Sequence, residues 1–307
     1  MEDIRTYLIA PSEKLRRFGG HTGGMTMNNR NNAQSFDWFA TLLIVIAVSG
    51  LVLAQPRQRV RGQERSSVPS PVIAMEKSST RAGTFIGDNR PLGNGTVRSW
   101  VTLDKNGSPT AIGVTFSEAA LSGLPAKEPG TEYLLSLPPQ ASTTAFDHIG
   151  LDWNAKGHQP AGVYDVPHFD FHFYTITPQE RDRITAQGDD LARSNKQPSA
   201  EYMPTGYVLV PDSAVPRMGA HLANPLSGEL HGQPFTKTFL FGSYDGRVIF
   251  YEPMITRSFL ESKTNITELI KLPARYPKSG YYPTMYSVKY DPKNKEYTVS
   301  LEGMTRR

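Results

Sequence analysis

The segment Val166-Pro167-His168-Phe169-Asp170-Phe171-His172-Phe173-Tyr174 places two imidazoles and a carboxylate at every second position. In an extended strand, successive side chains point to opposite faces. His168, Asp170, His172 and Tyr174 therefore share one face, and Phe169, Phe171 and Phe173 share the other. One face is a row of metal-ligand side chains and the other a row of core anchors. A strand that only needed burial would not put three ionisable groups on its second face, since an unpaired buried charge is costly. The chemistry that suits this pattern is coordination of a divalent metal ion. Histidine and carboxylate ligands suit zinc, iron, manganese or copper, and two-histidine-one-carboxylate sites suit iron(II). The pattern does not choose among the four.

Strand geometry limits how the row works. Residues two apart have Cα atoms ~6.7 Å apart and can grip one ion together, whereas residues four apart are ~13 Å apart. His168 with Asp170, or Asp170 with His172, makes an easy pair, but all three on one ion require a bulge or a strong bend. The remaining ligands must come from elsewhere. His221 sits in Val215-Pro216-Arg217-Met218-Gly219-Ala220-His221, a Pro/Gly-rich loop placed after a short strand. Glu252 is embedded in Val248-Ile249-Phe250-Tyr251-Glu252-Pro253-Met254, where a carboxylate must be paired or coordinating. The predicted metal ligands are thus His168, Asp170, His172, His221 and Glu252. His158, in Lys156-Gly157-His158-Gln159-Pro160, lies in a turn near the row and is a further candidate. His148, beside Asp147, reads as a surface or hydrogen-bonded histidine, and His231 as a loop residue. The competing reading is a structural polar network that hydrogen-bonds Tyr164 and Tyr174 inside a barrel.

The elements that position these residues are mostly strands. The chain has 24 Pro and 26 Gly with 14 Tyr and 14 Phe, a composition of short strands and turns. Val97 to Leu103 and Thr110 to Phe116 flank Asn106-Gly107; Phe235 to Phe241 and Arg247 to Met254 flank Asp245-Gly246; Tyr286 to Tyr290 and Glu296 to Leu301 flank Pro292-Lys293-Asn294. Each of these pairs reads as a hairpin. Thr131 to Leu137, Phe146 to Trp153, Val163 to Ile176 and Tyr207 to Val210 are further strands, and Pro167 puts an edge or a bulge on the third of them. Thr177-Pro178-Gln179-Glu180 is a capping box opening a helix from Pro178 to about Gln187, ending at Gly188. Thr264 to about Lys271 is a second helix candidate. The expected fold is mainly β, an antiparallel sandwich or cupin-like barrel with two short helices, in one domain from 83 to 307.

The N-terminal third has another character. Residues 1–38 form a leader that includes a mis-called start if translation begins at Met27. Residues 39–54 are an uncharged apolar run of ~24 Å as a helix, short of the ~30 Å bilayer core. Val52-Leu53-Ala54 supplies a cleavage signature, so the run reads as a signal peptide and the protein as exported, periplasmic or secreted; the alternative is a single-pass membrane anchor. Residues 55–82, rich in Arg, Ser, Pro and Gln, read as a disordered linker. Cysteine is absent, which excludes disulfides, thiolate ligands and a cysteine nucleophile. The net charge of +4 comes without a basic stripe interleaved with aromatics, so no nucleic-acid partner is expected. No GxSxG elbow, P-loop or GxGxxG after a strand occurs, and no catalytic residue is assigned.

Four blocks occur in order: Gly157-His158-Gln159-Pro160, then Tyr164-Asp165 followed by the ligand row through Tyr174, then Pro216 to His221, and then Tyr251-Glu252-Pro253-Met254-Ile255-Thr256. With these blocks the chain resembles, from about Gly83 to Thr256, an uncharacterised exported bacterial β-rich family whose structural prototype is a sigma-E-controlled protein of a thermophile. The resemblance implies a small β-rich domain that assembles into a ring, hence a possible homo-oligomer, with no established activity. It also implies that His168, His172 and His221 are motif positions. The His-x-Asp-x-His spacing departs from the His-x-His of cupins and counts against a cupin-type oxygenase mechanism. Three functions follow as expectations: an exported metal-binding domain, a metalloenzyme (a non-haem iron oxygenase or a hydrolase using metal-bound water), and a structural oligomer with a buried polar network.

Overall fold

Three of the expected hairpins organise the fold. The computed structural model describes residues 82–127 and 130–307; the leader, the apolar run and the linker up to residue 81 lie outside the described residues. At Asp245-Gly246 both turn residues have positive φ, 49° and 75°, the backbone that lets a two-residue turn follow the twist of its strands. That turn joins β10 (Lys237–Tyr244) to β11 (Arg247–Thr256). Likewise β3 (Gly95–Leu103) pairs with β4 (Pro109–Ser117), and β14 (Met285–Asp291) with β15 (Glu296–Glu302). The remaining strands are β1 (Gly83–Ile86), β2 (Arg90–Leu92), β5 (Thr131–Ser136), β6 (His148–Asn154), β7 (His168–Tyr174), β8 (Val208–Leu209), β9 (Ala220–Ala223), β12 (Ile266–Leu269), β13 (Tyr281–Tyr282) and β16 (Thr305–Arg306).

Two seven-stranded antiparallel sheets result. One runs β1-β3-β4-β15-β14-β12 with β2 added on β3; the other runs β5-β6-β7-β11-β10-β9-β8. Strands β13 and β16 form a separate pair. The phenylalanine row of β7 is the contact between the sheets: Phe116 on β4 lies 6.0 Å from Phe169 and 6.2 Å from Phe171, ring centre to ring centre, and stacks on Tyr297 of β15 at 5.4 Å. Phe173 meets Phe146 edge-on at 6.3 Å. All three phenylalanines of the row are fully buried. The fold is therefore the sandwich, and neither sheet closes into a barrel among the described residues.

Several local expectations are corrected. The helix begun by the Thr177–Glu180 capping box is α1 (Pro178–Arg181), and it stops well before Gln187. Asp190 draws the Thr185 and Ala186 amides onto its carboxylate, at 2.7 and 3.1 Å, and Ala186 turns to φ 51°, so the chain breaks and restarts as α2 (Asp189–Ser194). Residues 266–269 are an edge strand on β14 and not a helix: the β-branched pair Ile266-Thr267 fits the pleat, and Glu268 is held by Lys237 and Tyr286, both at 2.6 Å. The third helix, α3 (Arg257–Glu261), instead follows β11, with Thr256 capping the Phe259 amide at 3.1 Å. Pro167 marks no edge. It sits just before β7, which lies centrally between β6 and β11, and residues 163–167 lie outside any strand. No helix among the described residues is long and apolar enough to cross a membrane.

Candidate metal centre

Because Phe169, Phe171 and Phe173 fill the sandwich, the other face of β7 turns away from it and carries the ligand row. Its neighbours are set by register. On β6, Asn154 lies opposite His168, Asp152 opposite Asp170 and Gly150 opposite His172. On β11, the pairs Phe250↔Tyr174 and Met254↔Asp170 put Glu252 level with His172. Two strands further, His221 stands on β9, opposite Gly242 of β10. The expectation that His221 is a loop residue is corrected: the loop ends at Gly219, whose φ of 71° and 2.3 Å Cβ approach to the Ser243 carbonyl admit only glycine, and β9 then pairs with β10.

The row does not form one group. Its donor atoms fall into two groups, His158/His168/Asp170 and His172/His221/Glu252, each with its ligand atoms within 4.8 Å of one another. In the first, His168 Nε2 lies 3.2 Å from Asp170 Oδ1 and His158 Nε2 3.3 Å from Asp170 Oδ2. In the second, His172 Nε2 lies 3.1 Å from Glu252 Oε1 and His221 Nε2 3.9 Å from Glu252 Oε2. Asp170 and His172, two apart on one face, thus part company, and each end of the row is completed from another segment. The geometric limit expected of a straight strand holds.

The protons on the rings follow from their partners. His158 Nδ1 is 2.7 Å from the Gln159 carbonyl, His168 Nδ1 2.7 Å from the Val166 carbonyl and His221 Nδ1 3.0 Å from the Ser213 carbonyl. A carbonyl only accepts, so each Nδ1 carries its hydrogen, and each Nε2 is the atom turned to the carboxylates. This is the arrangement of metal-ligating histidines, whose second nitrogen is fixed by a carbonyl or carboxylate. His172 has the carboxylate version: its Nδ1 touches Asp152 Oδ2 at 3.0 Å.

Several of these contacts are close without being aligned as hydrogen bonds. His168 Nε2, Asp170 Oδ1, both His172 nitrogens and Glu252 Oε2 are buried with no hydrogen-bond partner. Leaving such an atom unpaired costs roughly 1–3 kcal/mol, more when it is charged. Ligands ~2.0–2.1 Å from a tetrahedral ion are separated by roughly 3.3–3.4 Å, close to three of the spacings here, 3.1–3.3 Å, while His221 Nε2, at 3.9 Å from Glu252, has to move in by about half an ångström. The residues present fit a divalent cation in each group.

Electrostatics point the same way. Burial disfavours the charged form of His172, yet the charge of Glu252 outweighs it and raises the imidazole well above its usual pKa. Burial likewise works against ionised Asp170, but the charge of His168 and the hydrogen bond from His158 hold it well below the ordinary carboxylate range. His158, also desolvated, is raised to about 9 by its hydrogen bond to Asp170 and that residue's charge. Asp152 is pushed up by burial, with His172 opposing. The negative charge collected here favours cations.

Supporting residues explain the sequence blocks. Asn154 donates to Asp170 Oδ2 at 2.7 Å. Gly157 (φ 75°) lets the His158 turn close on Tyr164, since a Cβ there would lie 1.9 Å from the Tyr164 carbonyl. Arg217 reaches Glu132 at 2.6 Å and Asp182 at 2.9 Å, anchoring the loop ahead of His221, while buried Arg181 holds the same Glu132. Gly242 leaves room for the Phe250 ring, which packs edge-on against His172 at 4.9 Å and lies 5.6 Å from His221. Sequence reasoning missed Asp152, Asn154, Ser213 and Gly242. Asp152 could have been found from the β6 alternation, with its polar Asp152 and Asn154 on one face; the others depend on pairing between distant strands. His148 is not at the surface: it is buried, stacked on Tyr174 at 4.9 Å and bonded to Asp147 at 3.0 Å.

Both groups open on one cavity of about 450 Å3. Fold and site together define a mainly β sandwich with two buried His/carboxylate clusters on the outer face of one sheet. Residues 104–153 match the TTHB210-like family, described as hypothetical protein TTHB210. The match spans β4 to β6, includes Asp152 and ends before the four sequence blocks; it is a likeness to an uncharacterised family over that segment. No curated protein and no solved structure matches the chain.

Proposed function

We propose that this is an exported protein that binds divalent transition-metal ions at His158/His168/Asp170 and at His172/His221/Glu252. The observation that carries the reading is the set of histidines whose Nδ1 hydrogens are spent on backbone carbonyls while their Nε2 atoms converge on buried carboxylates. A purely structural network would place a hydrogen in line between each nitrogen and its oxygen, and five buried polar atoms here have none. Zinc, iron, manganese and copper all match the donor set. Export rests on the apolar run Phe39 to Ala54 and its cleavage signature.

The test is elemental analysis of protein purified without a histidine tag and dialysed after zinc loading. The wild type should retain about two equivalents, and the His168→Ala, His172→Ala double variant should lose both. Less than about a tenth of an equivalent in the wild type would overturn the proposal. Mass spectrometry of the mature N-terminus tests export: an intact 1–54 segment would rule out cleavage.

A further inference from the structure

We infer that the cavity joining the two clusters takes a small organic anion, a monocarboxylate with a short apolar body, whose head sits at the clusters and whose body lies along the apolar residues beside them. The inference rests on the metal reading and adds a ligand class to it.

Three observations carry it. First, each cluster supplies three protein ligands, and all but His168 of their residues line the cavity, so an ion's open coordination position faces the same space. Second, the lining mixes polar and apolar groups. Asp152, Asp170, Asp212, His172, His221 and Glu252 are among the polar ones; Val210, Met218, Ala223, Leu230 and Leu240 contribute apolar surface, Leu240 directly opposite Glu252 across β10 and β11, with Val215 at the rim. A site meant only to hold ions has no need of an apolar wall, whereas small-molecule sites combine apolar walls with a few convergent polar groups and fall in the range of about 300–1,000 Å3. Third, an ion's open position selects the head. It takes a lone-pair donor, which a carboxylate supplies and an ammonium does not, while the four lining carboxylates, Asp152, Asp170, Asp212 and Glu252, balance two divalent ions and leave the head to be chosen by coordination.

The chain length of the ligand then matters, because each buried methylene is worth roughly a factor of four in affinity. The test uses cobalt(II)-loaded protein, whose visible absorption reports on the inner coordination sphere, titrated with hexanoate, acetate and hexylammonium. Hexanoate should perturb the spectrum and bind at least about tenfold more tightly than acetate, and hexylammonium should leave it unchanged. Val215→Asp, at the exposed rim, should keep the cobalt stoichiometry and lose the preference for hexanoate. Cobalt bound but blind to hexanoate, hexanoate no tighter than acetate, or a preference surviving in Val215→Asp would each overturn the inference while leaving the metal reading intact. Failure of cobalt to bind at all would overturn both.

Discussion

Asp152→Asn separates the two clusters more cleanly than any change to a ligand. Asp152 Oδ2 touches His172 Nδ1 at 3.0 Å, and His172 Nε2 faces Glu252 at 3.1 Å, so the carboxylate acts on an ion only through the imidazole. Its charge makes that imidazole a stronger donor and fixes its orientation. Removing such a partner typically weakens metal binding by 10- to 100-fold, or about 1.4–2.7 kcal/mol. The side chain is 14% exposed, so water screens part of its charge and the lower half of that range is expected. The asparagine is nearly isosteric, and the substitution also relieves the like-charge pairing of Glu132 with Asp152 across β5 and β6, so the fold should survive. The assay is a zinc competition titration against a chromophoric chelator that resolves two affinities. One affinity should fall by about 10- to 30-fold and the other by less than about threefold, because Asp152, although opposite Asp170 across β6 and β7, sets its carboxylate on His172 Nδ1, while the Asp170 oxygens face His158 and His168. An unchanged pair of affinities, or an equal loss in both, would refute the assignment of His172 to its own ion.

Other substitutions probe the frame. In metal-free protein, the NMR titration of His158 should show a midpoint near 9, so its pairing with Asp170 stabilises the fold fully below about pH 6.5 and is lost as pH rises through about 9; a midpoint at or below 6.5 would contradict the pairing. Bound metal should abolish that titration. Gly242→Ala would set a Cβ 1.9 Å from the Phe250 ring and should cost roughly 1–3 kcal/mol in urea unfolding, with weaker binding at the His172 cluster; a stability loss under about 0.5 kcal/mol would show that Phe250 moves freely. Phe171→Ala, in the fully buried row between the sheets, should cost about 3–5 kcal/mol while a zinc titration of the folded fraction still shows both sites.

The alternation of β7 was legible because period two is a property of the backbone alone, and it assigned all seven side chains of the strand to the correct faces. The hairpins were legible from Asn-Gly and Asp-Gly for the same local reason. What failed was local evidence that tertiary pairing overrode. Residues 264–271 look like a capped helix until β14 offers an edge, and the capping box at Thr177 opens a helix that Asp190 then interrupts. The five ligands named from sequence all lie on one face of the second sheet, but their division into two groups depends on the β7–β11 and β9–β10 registers, and these have no signature along the chain. Asp152 joined the site for the same reason, through β6 pairing with β7.

The central claim is that two ions are held by named nitrogens and carboxylates, and anomalous diffraction from zinc-loaded crystals tests it most directly. The account predicts one peak ~2.0–2.2 Å from His172 Nε2, His221 Nε2 and Glu252, and a second at the same range from His158 Nε2, His168 Nε2 and Asp170. Crystals with anomalous peaks only at surface side chains, and ordinary in-line hydrogen bonds within both clusters, would contradict it.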